Sequence, residues 1–397
     1  MPKPFQIAIA SDLHCHSEST VTPAASFLLA GKRRLPAERH PTESLLKLIE
    51  AKELCADILV CPGDLAHQVC EHGMMQAFTD LKEIRRVLGS EKLLCCLGNH
   101  DVNSRGENGE SDPFRLAREL ASDFPIDDPE LRDKLQSSGF CVTNVSNQAS
   151  ILILNTVIDH NDKSSAIRGT FNDNRLSELK SYLAGIDSTL NPIRVVVMHH
   201  HPILHSFADY ESSDVLANGD AILQVVSEFG FRLVIHGHRH EPRIARLAQS
   251  STKMCVFASG SFSAMLNVLG SVTRNMFHII KINGDATDIE GEIKSWEFNY
   301  GSGWVKTSVK SGNFMPTQAF STSPPEITCD MIATHLNNMA AESLSSRNLE
   351  ISLPGIKYLD YKGLKQLSGE LTKSHQVQIS FNEHGELSSI GKIYQGS

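Results

Sequence analysis

The stretch "FQIAIASDLH", residues 5–14, decides how the chain is read. Its first half is apolar at nearly every position, the pattern of a strand buried on both faces. The run then stops at Asp12-Leu13-His14, which sets a carboxylate and an imidazole two residues apart. The same event recurs along the chain. "DILVC" (57–61) leads into Gly63-Asp64, and "KLLCCLG" (92–98) into Asn99-His100-Asp101. "ILILNT" (151–156) is followed by "IRVVVMH" (193–199), which opens the triple histidine His199-His200-His201. "FRLVIHG" closes the series at His236-Gly237-His238-Arg239-His240.

Between these runs lie apolar residues at helical spacing: "PTESLLKLIEAKEL" (41–54), with Thr42 as an N-cap after Pro41, and "MMQAFTDLKEIRRVL" (74–88). Further helical stretches begin near "NDNRLSELKSYL" and at "AILQVVSEFG". Strand-helix alternation predicts an α/β domain with parallel pairing. After residue 250 the texture changes: "KMCVFASGSF", "FHIIKI", "EIKSWEFN" and "WVKTSVKS" read as strands joined by turns, with a hairpin at Tyr300-Gly301-Ser302-Gly303. The Pro/Ser/Thr-rich "MPTQAFSTSPPE" (315–326) reads as a linker. It separates a main domain over 1–314 from a small α/β accessory domain over 327–397, with helices near 327–345 and 361–373 and a strand at "VQISF".

The 397 residues are 41% hydrophobic and 21% charged, the balance of a soluble globular protein. No run approaches the roughly 20 apolar residues of a membrane span, and the N-terminus turns polar too soon for a signal-peptide core. Nine cysteines without a paired framework read as reduced thiols, which points to the cytoplasm. A net charge of −9 disfavours broad non-specific binding to nucleic acid. The basic run "GKRRLPAER" (31–39), with Arg33, Arg34 and Arg39, reads as a solvated loop.

In open α/β sheets, ligands bind beyond the carboxyl ends of the strands. Five strand ends here deliver Asp, His and Asn to one crevice, a set of carboxylate, amide oxygen and imidazole. Such donors suit one or two divalent cations, Mn²⁺ or Fe first and Zn²⁺ or Co²⁺ next. A carboxylate such as Asp64 can bridge two ions with its two oxygens. His238 and His240 project to one side of an extended segment, yet each can serve a different ion. Two ions about 3.5–4 Å apart are the usual device for displacement at phosphorus, holding a hydroxide nucleophile and stabilising phosphoryl charge.

Asp12-x-His14, Gly63-Asp64, Gly98-Asn99-His100-Asp101, His200-His201-Pro202 and Gly237-His238-x-His240 together resemble the calcineurin-like metallophosphoesterase superfamily, in that family's order, over residues 5 to about 260. The resemblance implies a four-layer α/β/β/α sandwich with two mixed sheets. It places Asp12, His14 and His240 on a first ion, Asp64 as a bridge, and Asn99, His200 and His238 on a second. His100 becomes the residue that contacts phosphate and protonates the leaving oxygen, with Asp101 orienting it. His199 becomes a packed residue at the strand end, His201 packs behind the ligand, and His236 is buried and hydrogen-bonded. Cys15 reads as a small packed hydrophobe, while His16 and His67 stand close enough to line the pocket.

Within the superfamily, "GDLAHQVCEHG" lacks the Asp-Arg-Gly of the protein phosphatases and the iron-ligating tyrosine of purple acid phosphatases. The motif set is most similar to the cyclic-nucleotide phosphodiesterase branch. The expected function is a dinuclear-metal phosphodiesterase acting on a nucleotide or similar small phosphoester. Nucleic acid is a possible but disfavoured substrate, no membrane is implied, and a homo-oligomer is compatible. A DNA-processing nuclease and a non-catalytic metal-binding scaffold are the alternatives.

Overall fold

Strand β1 (Phe5–Ile9) pairs in parallel with β2 (Ile58–Cys61), and β2 with β3 (Lys92–Cys95). The chain then builds a second sheet from β4 (Phe140–Val145), β5 (Ala149–Leu154), β6 (Ile193–Met198), β7 (Leu233–His236), β8 (Pro242–Gln249) and β9 (Thr252–Ser259). It returns to the first through β10 (Asn275–Gly284), β11 (Ile289–Asn299), β12 (Gly303–Lys306) and β13 (Thr317–Ser321). The orders are β12-β11-β10-β1-β2-β3, with β13 also on β11, and β4-β5-β6-β7-β9-β8. Both sheets are mixed: β5-β6-β7-β9 run parallel, while β4 and β8 are antiparallel edges.

This computed structural model describes residues 3–17, 25–31, 36–104, 112–160, 168–204, 215–249, 252–265, 273–309, 314–339 and 342–393. Arg33 and Arg34 fall outside the described residues, whereas the Arg39 guanidinium lies over the Tyr300 ring.

Alternation explains why the strands are apolar throughout. Phe5, Ile7 and Ile9 of β1 share one core with Ile193, Val195 and Val197 of β6 and with Leu233 and Ile235 of β7. Their neighbours Ala8, Leu59 and Leu93 pack instead with α1 (Pro41–Lys52) and α2 (Glu71–Leu88). Two short helices, α3 (Arg115–Glu119) and α4 (Pro129–Ser138), precede the second sheet. On that sheet Leu152, Val196 and Val234 pack with α5 (Asp173–Ile186) and α6 (Gly219–Glu228). The central strands β1, β2, β5, β6 and β7 are therefore buried on both faces.

Two local expectations change. His40, not Thr42, caps α1, its imidazole accepting from the Glu43 N–H. Thr42 lies in the first turn and donates to the buried Asp80 of α2 at 2.8 Å. The segment expected as a linker carries β13, because Gln318 and Phe320 alternate inward and Phe320 enters the core between the sheets. The C-terminal residues form α7 (Cys329–Asn338), β14 (Ser343–Ser345), α8 (Ser346–Ser352), α9 (Tyr361–His375), β15 (Val377–Phe381) and β16 (Leu387–Lys392). Ile332, Leu349, Leu364, Ile379 and Ile390 give this part its own core. All nine cysteines are free thiols, and Cys15 is a fully buried core residue. No described helix is long and apolar enough to cross a membrane.

Candidate metal centre

The loops after β1, β2, β3, β6 and β7 meet beyond the carboxyl ends of these strands. Backbone bonds stitch the loops together: Asp12 N–H donates to the Gly63 carbonyl and His14 N–H to the Asp64 carbonyl, both at 3.0 Å. The Gly237 N–H reaches the His199 carbonyl at 3.1 Å, and the His238 N–H reaches Asp12 Oδ1 at 2.9 Å. Asp12, His14, Asp64, His238 and His240 all adopt left-handed backbone, with φ of 53°, 49°, 54°, 76° and 58°. Residues other than glycine accept that conformation only where the surroundings over-determine it, and it clusters at functional sites. Gly98 is required by close approach, because a Cβ there would stand 2.1 Å from Asp64 Oδ1.

Two donor sets form around these loops. In the first, His14 Nε2 lies 3.0 Å from His240 Nε2 and 3.6 Å from Asp64 Oδ2, and His240 Nε2 lies 3.4 Å from Asp12 Oδ1. In the second, His199 Nε2 lies 3.1 Å from Asn99 Oδ1, 3.2 Å from His238 Nδ1 and 3.4 Å from Asp64 Oδ2. Asn99 Oδ1 is also 3.1 Å from His238 Nδ1. Asp64 Oδ2 is thus common to both sets, while Asp64 Oδ1 accepts the His100 N–H at 2.9 Å. Both sets could hold a divalent ion: the ligand atoms of Asp12, His14, Asp64 and His240 lie within 4.8 Å of one another, and those of His199 and His238 in the second set do so together with a nitrogen of the neighbouring His200.

The triple histidine does not divide as expected. His199, not His200, presents Nε2 to Asp64, Asn99 and His238, and its Nδ1 faces the Pro62 carbonyl at 3.0 Å. A carbonyl only accepts, so the neutral ring carries its proton on Nδ1 and leaves the Nε2 lone pair facing the site. Strand parity is the cause. Val195 and Val197 face the other sheet, and residue 199 continues that face. His200 continues the opposite face and sets Nδ1 2.8 Å from Thr156 Oγ1. His201 and His236 are buried, and the His236 Nδ1 lies 3.0 Å from the Gly237 carbonyl.

The electrostatics fit a cation. Burial works against charge on His199, yet Asp64 beside it raises its pKa to about 9. Burial likewise opposes the charge on Asp64, but His199 and His100 hold the carboxyl well below its ordinary range. Burial keeps His14, His200 and His238 well below the usual histidine value. Nitrogen and oxygen donors at 3.0–3.6 Å around a shared carboxylate form a set that a divalent ion completes.

His100 stands beside the first set, its ring edge-on to His14 at 4.7 Å and stacked on His67 at 5.0 Å. Its Nδ1 accepts the Gln68 N–H at 3.3 Å, which leaves the proton of the neutral ring on Nε2. Asp101 also makes contacts that its sequence position did not suggest. Its fully buried carboxylate accepts from the Ala66 N–H at 2.8 Å and the Gly98 N–H at 2.9 Å, clamping the loops after β2 and β3. The backbone of Gln68 thus supplies an orienting contact to His100, and no sequence signal marks a backbone donor. His16 is buried and takes the Ala25 N–H on Nε2 at 3.4 Å.

A probable cyclic nucleotide phosphodiesterase from Psychrobacter arcticus is 25% identical over 206 residues, which cover 51% of this chain and 63% of that relative. This chain therefore spans less than two thirds of that relative's length. Among solved structures, a purple acid phosphatase from yellow lupin seeds superposes with a TM-score of 0.49 at 12% identity, covering 83% of this chain and 57% of that one. Vps29 from Chaetomium thermophilum does so with a TM-score of 0.33 at 11% identity, covering 81% and 100%. Residues 5–242, which hold every residue of both donor sets, match the calcineurin-like phosphoesterase family, and the chain belongs to that family.

Proposed function

We propose that the protein is a two-ion phosphodiesterase acting on a nucleotide or similar small phosphoester. The observation that carries this reading is the pair of donor sets sharing Asp64 Oδ2. Asp12, His14, His240 and Asp64 would hold one ion, and Asp64, Asn99, His199 and His238 the other. When bound, two such ions stabilise charge on the phosphoryl oxygens and make a nucleophile available at neutral pH.

The chain's own residues do the rest. His100 presents Nε2–H beside the first set and donates it to a phosphoryl or leaving-group oxygen, a contribution of about 10²–10⁴ in rate. The Gln68 N–H fixes the tautomer that makes this donation possible. Asp101 keeps the loops carrying Asp64 and Asn99 in register through Ala66 and Gly98. Activity on a diester rather than a monoester draws support from the name of the Psychrobacter relative and from the motif set of residues 12–240.

The test is hydrolysis of bis(p-nitrophenyl) phosphate with Mn²⁺, with and without chelator, followed by cyclic nucleotides, single- and double-stranded DNA and phosphomonoesters. Chelator-sensitive diester hydrolysis with a preference for small nucleotides is expected. Preference for DNA would replace the reading with a nuclease. No turnover with any divalent metal, together with no bound metal by elemental analysis, would leave a scaffold.

A further inference from the structure

His200 lies against the second donor set without taking any of the contacts that define it. Its side chain is fully buried. Nδ1 is 2.8 Å from Thr156 Oγ1, and the His200 backbone N–H donates to the same hydroxyl at 3.3 Å. Nε2 is closed off from solvent and has no hydrogen-bond partner among the described residues. One ring nitrogen of His200 lies within 4.8 Å of a ring nitrogen on both His199 and His238. The ring packs at 5.0 Å from His199 and 4.6 Å from His238, centroid to centroid. Gly169 backs it on another side: a Cβ there would stand 2.5 Å from the His200 Cγ and Nδ1. The ring is thereby held in one place, with one nitrogen unused.

A buried polar atom left unpaired costs about 1–3 kcal/mol, and this one belongs to a ring that stands within reach of two imidazoles of the second set. A substrate phosphate cannot touch an atom closed off from solvent, whereas an ion seated among three imidazoles can. Ligation through Nε2 puts the ring proton on Nδ1, where the Thr156 hydroxyl accepts it. That is the outer partner a ligating histidine ordinarily has.

We propose that His200 is a third imidazole ligand of the second ion, beside His199 and His238, with Thr156 as its orienting partner; this rests on the two-ion reading above. The two positions then differ in kind. The first offers two carboxylates and two imidazoles, and the second offers three imidazoles, one amide oxygen and the shared carboxylate. Imidazole suits zinc and cobalt, while oxygen donors suit manganese, so the second position prefers Zn²⁺ or Co²⁺ more strongly than the first does.

The test uses the full chain stripped of metal and titrated with Co²⁺, followed by visible absorption and by competition with a chelating dye. Wild type should take two equivalents. His200→Gln should weaken one of them at least tenfold, leave the other unchanged, and alter the cobalt band. Thr156→Val should weaken the same equivalent several-fold. Two equivalents with unchanged affinities and band in both variants would overturn the proposal. A wild-type protein that takes no cobalt would instead refute the two-ion reading. Circular dichroism of the metal-free proteins checks folding. If His200→Gln does not fold, Thr156→Val decides, and unchanged affinity in it overturns the proposal.

Discussion

His278 and His200 are both fully buried imidazoles, and they are opposites. His278, in β10, has Nε2 2.7 Å from the Ser259 carbonyl and Nδ1 2.8 Å from Ser295 Oγ. Each of its nitrogens has a protein partner, and nothing is left over. His200 has one nitrogen spoken for, and the other is without a hydrogen-bond partner among the described residues, as is the Nδ1 of His14. His278 closes its own hydrogen bonding, whereas His200 keeps a nitrogen in reserve in a ring packed against two other imidazoles. Burial alone therefore does not separate packing from chemistry; the ring nitrogens have to be read together with the donors around them.

If that contrast is right, substitutions at the rim should cost ions or rate and spare the fold, while substitutions at His278 should do the reverse. Asp64→Ala should be the most severe at the rim, removing the one oxygen that both sets share. We expect diester hydrolysis to fall by at least ~10⁴ and bound metal to drop toward zero by elemental analysis, with the fold kept by circular dichroism. His100→Gln should lower the rate by roughly 10²–10³ with ion content unchanged. Rate loss accompanied by loss of an ion would place His100 among the ligands instead. His199→Ala should lose one ion and keep the other; retention of both would return the ligand role to His200 alone.

His278 supplies the other arm. Burial lowers its pKa from the ordinary 6.5 to about 4. The unfolded chain then takes up a proton that the folded protein resists, so this contribution is present above pH 6.5 and lost as pH falls toward 4. The difference is roughly 3 kcal/mol at most. Denaturant unfolding of His278→Gln should show a shallower loss of stability over that window than wild type, with metal content unchanged. Equal slopes would show that His278 is not the neutral, fully bonded ring described above.

Much of this was legible in the residues. "FQIAIAS", "DILVC", "KLLCC" and "IRVVVM" announced buried strands, and the polar residues closing them announced the rim. What could not be read was parity. A strand such as Ile193–Met198, apolar on both faces, carries no mark of which face meets which sheet, so the contacts of His199 with Asp64, Asn99 and His238 were not foreseen. The edge strands β4 and β8 were missed because "FCVTNV" and "PRIARLAQ" mix polar and apolar residues. β13 was hidden by its Thr and Ser content, since only its pairing with β11 turns Phe320 inward. The clamp made by Asp101 was unreadable for a related reason: it holds two backbone N–H groups, which leave no trace in sequence.

The location of the two donor sets has a consequence for the chain as a polymer. Asp12, His14, Asp64 and Asn99 follow strands of one sheet, and His199, His238 and His240 follow strands of the other. An ion held between Asp12 and His240 joins points separated by more than half the chain, much as a covalent cross-link would. Closing so long a loop removes conformational freedom from the unfolded chain, and any ligand bound only by the folded state adds to stability with its concentration. The centre would then be a rivet between the two sheets as well as a place for chemistry, and the metal-free chain should melt at a temperature that rises with added ion.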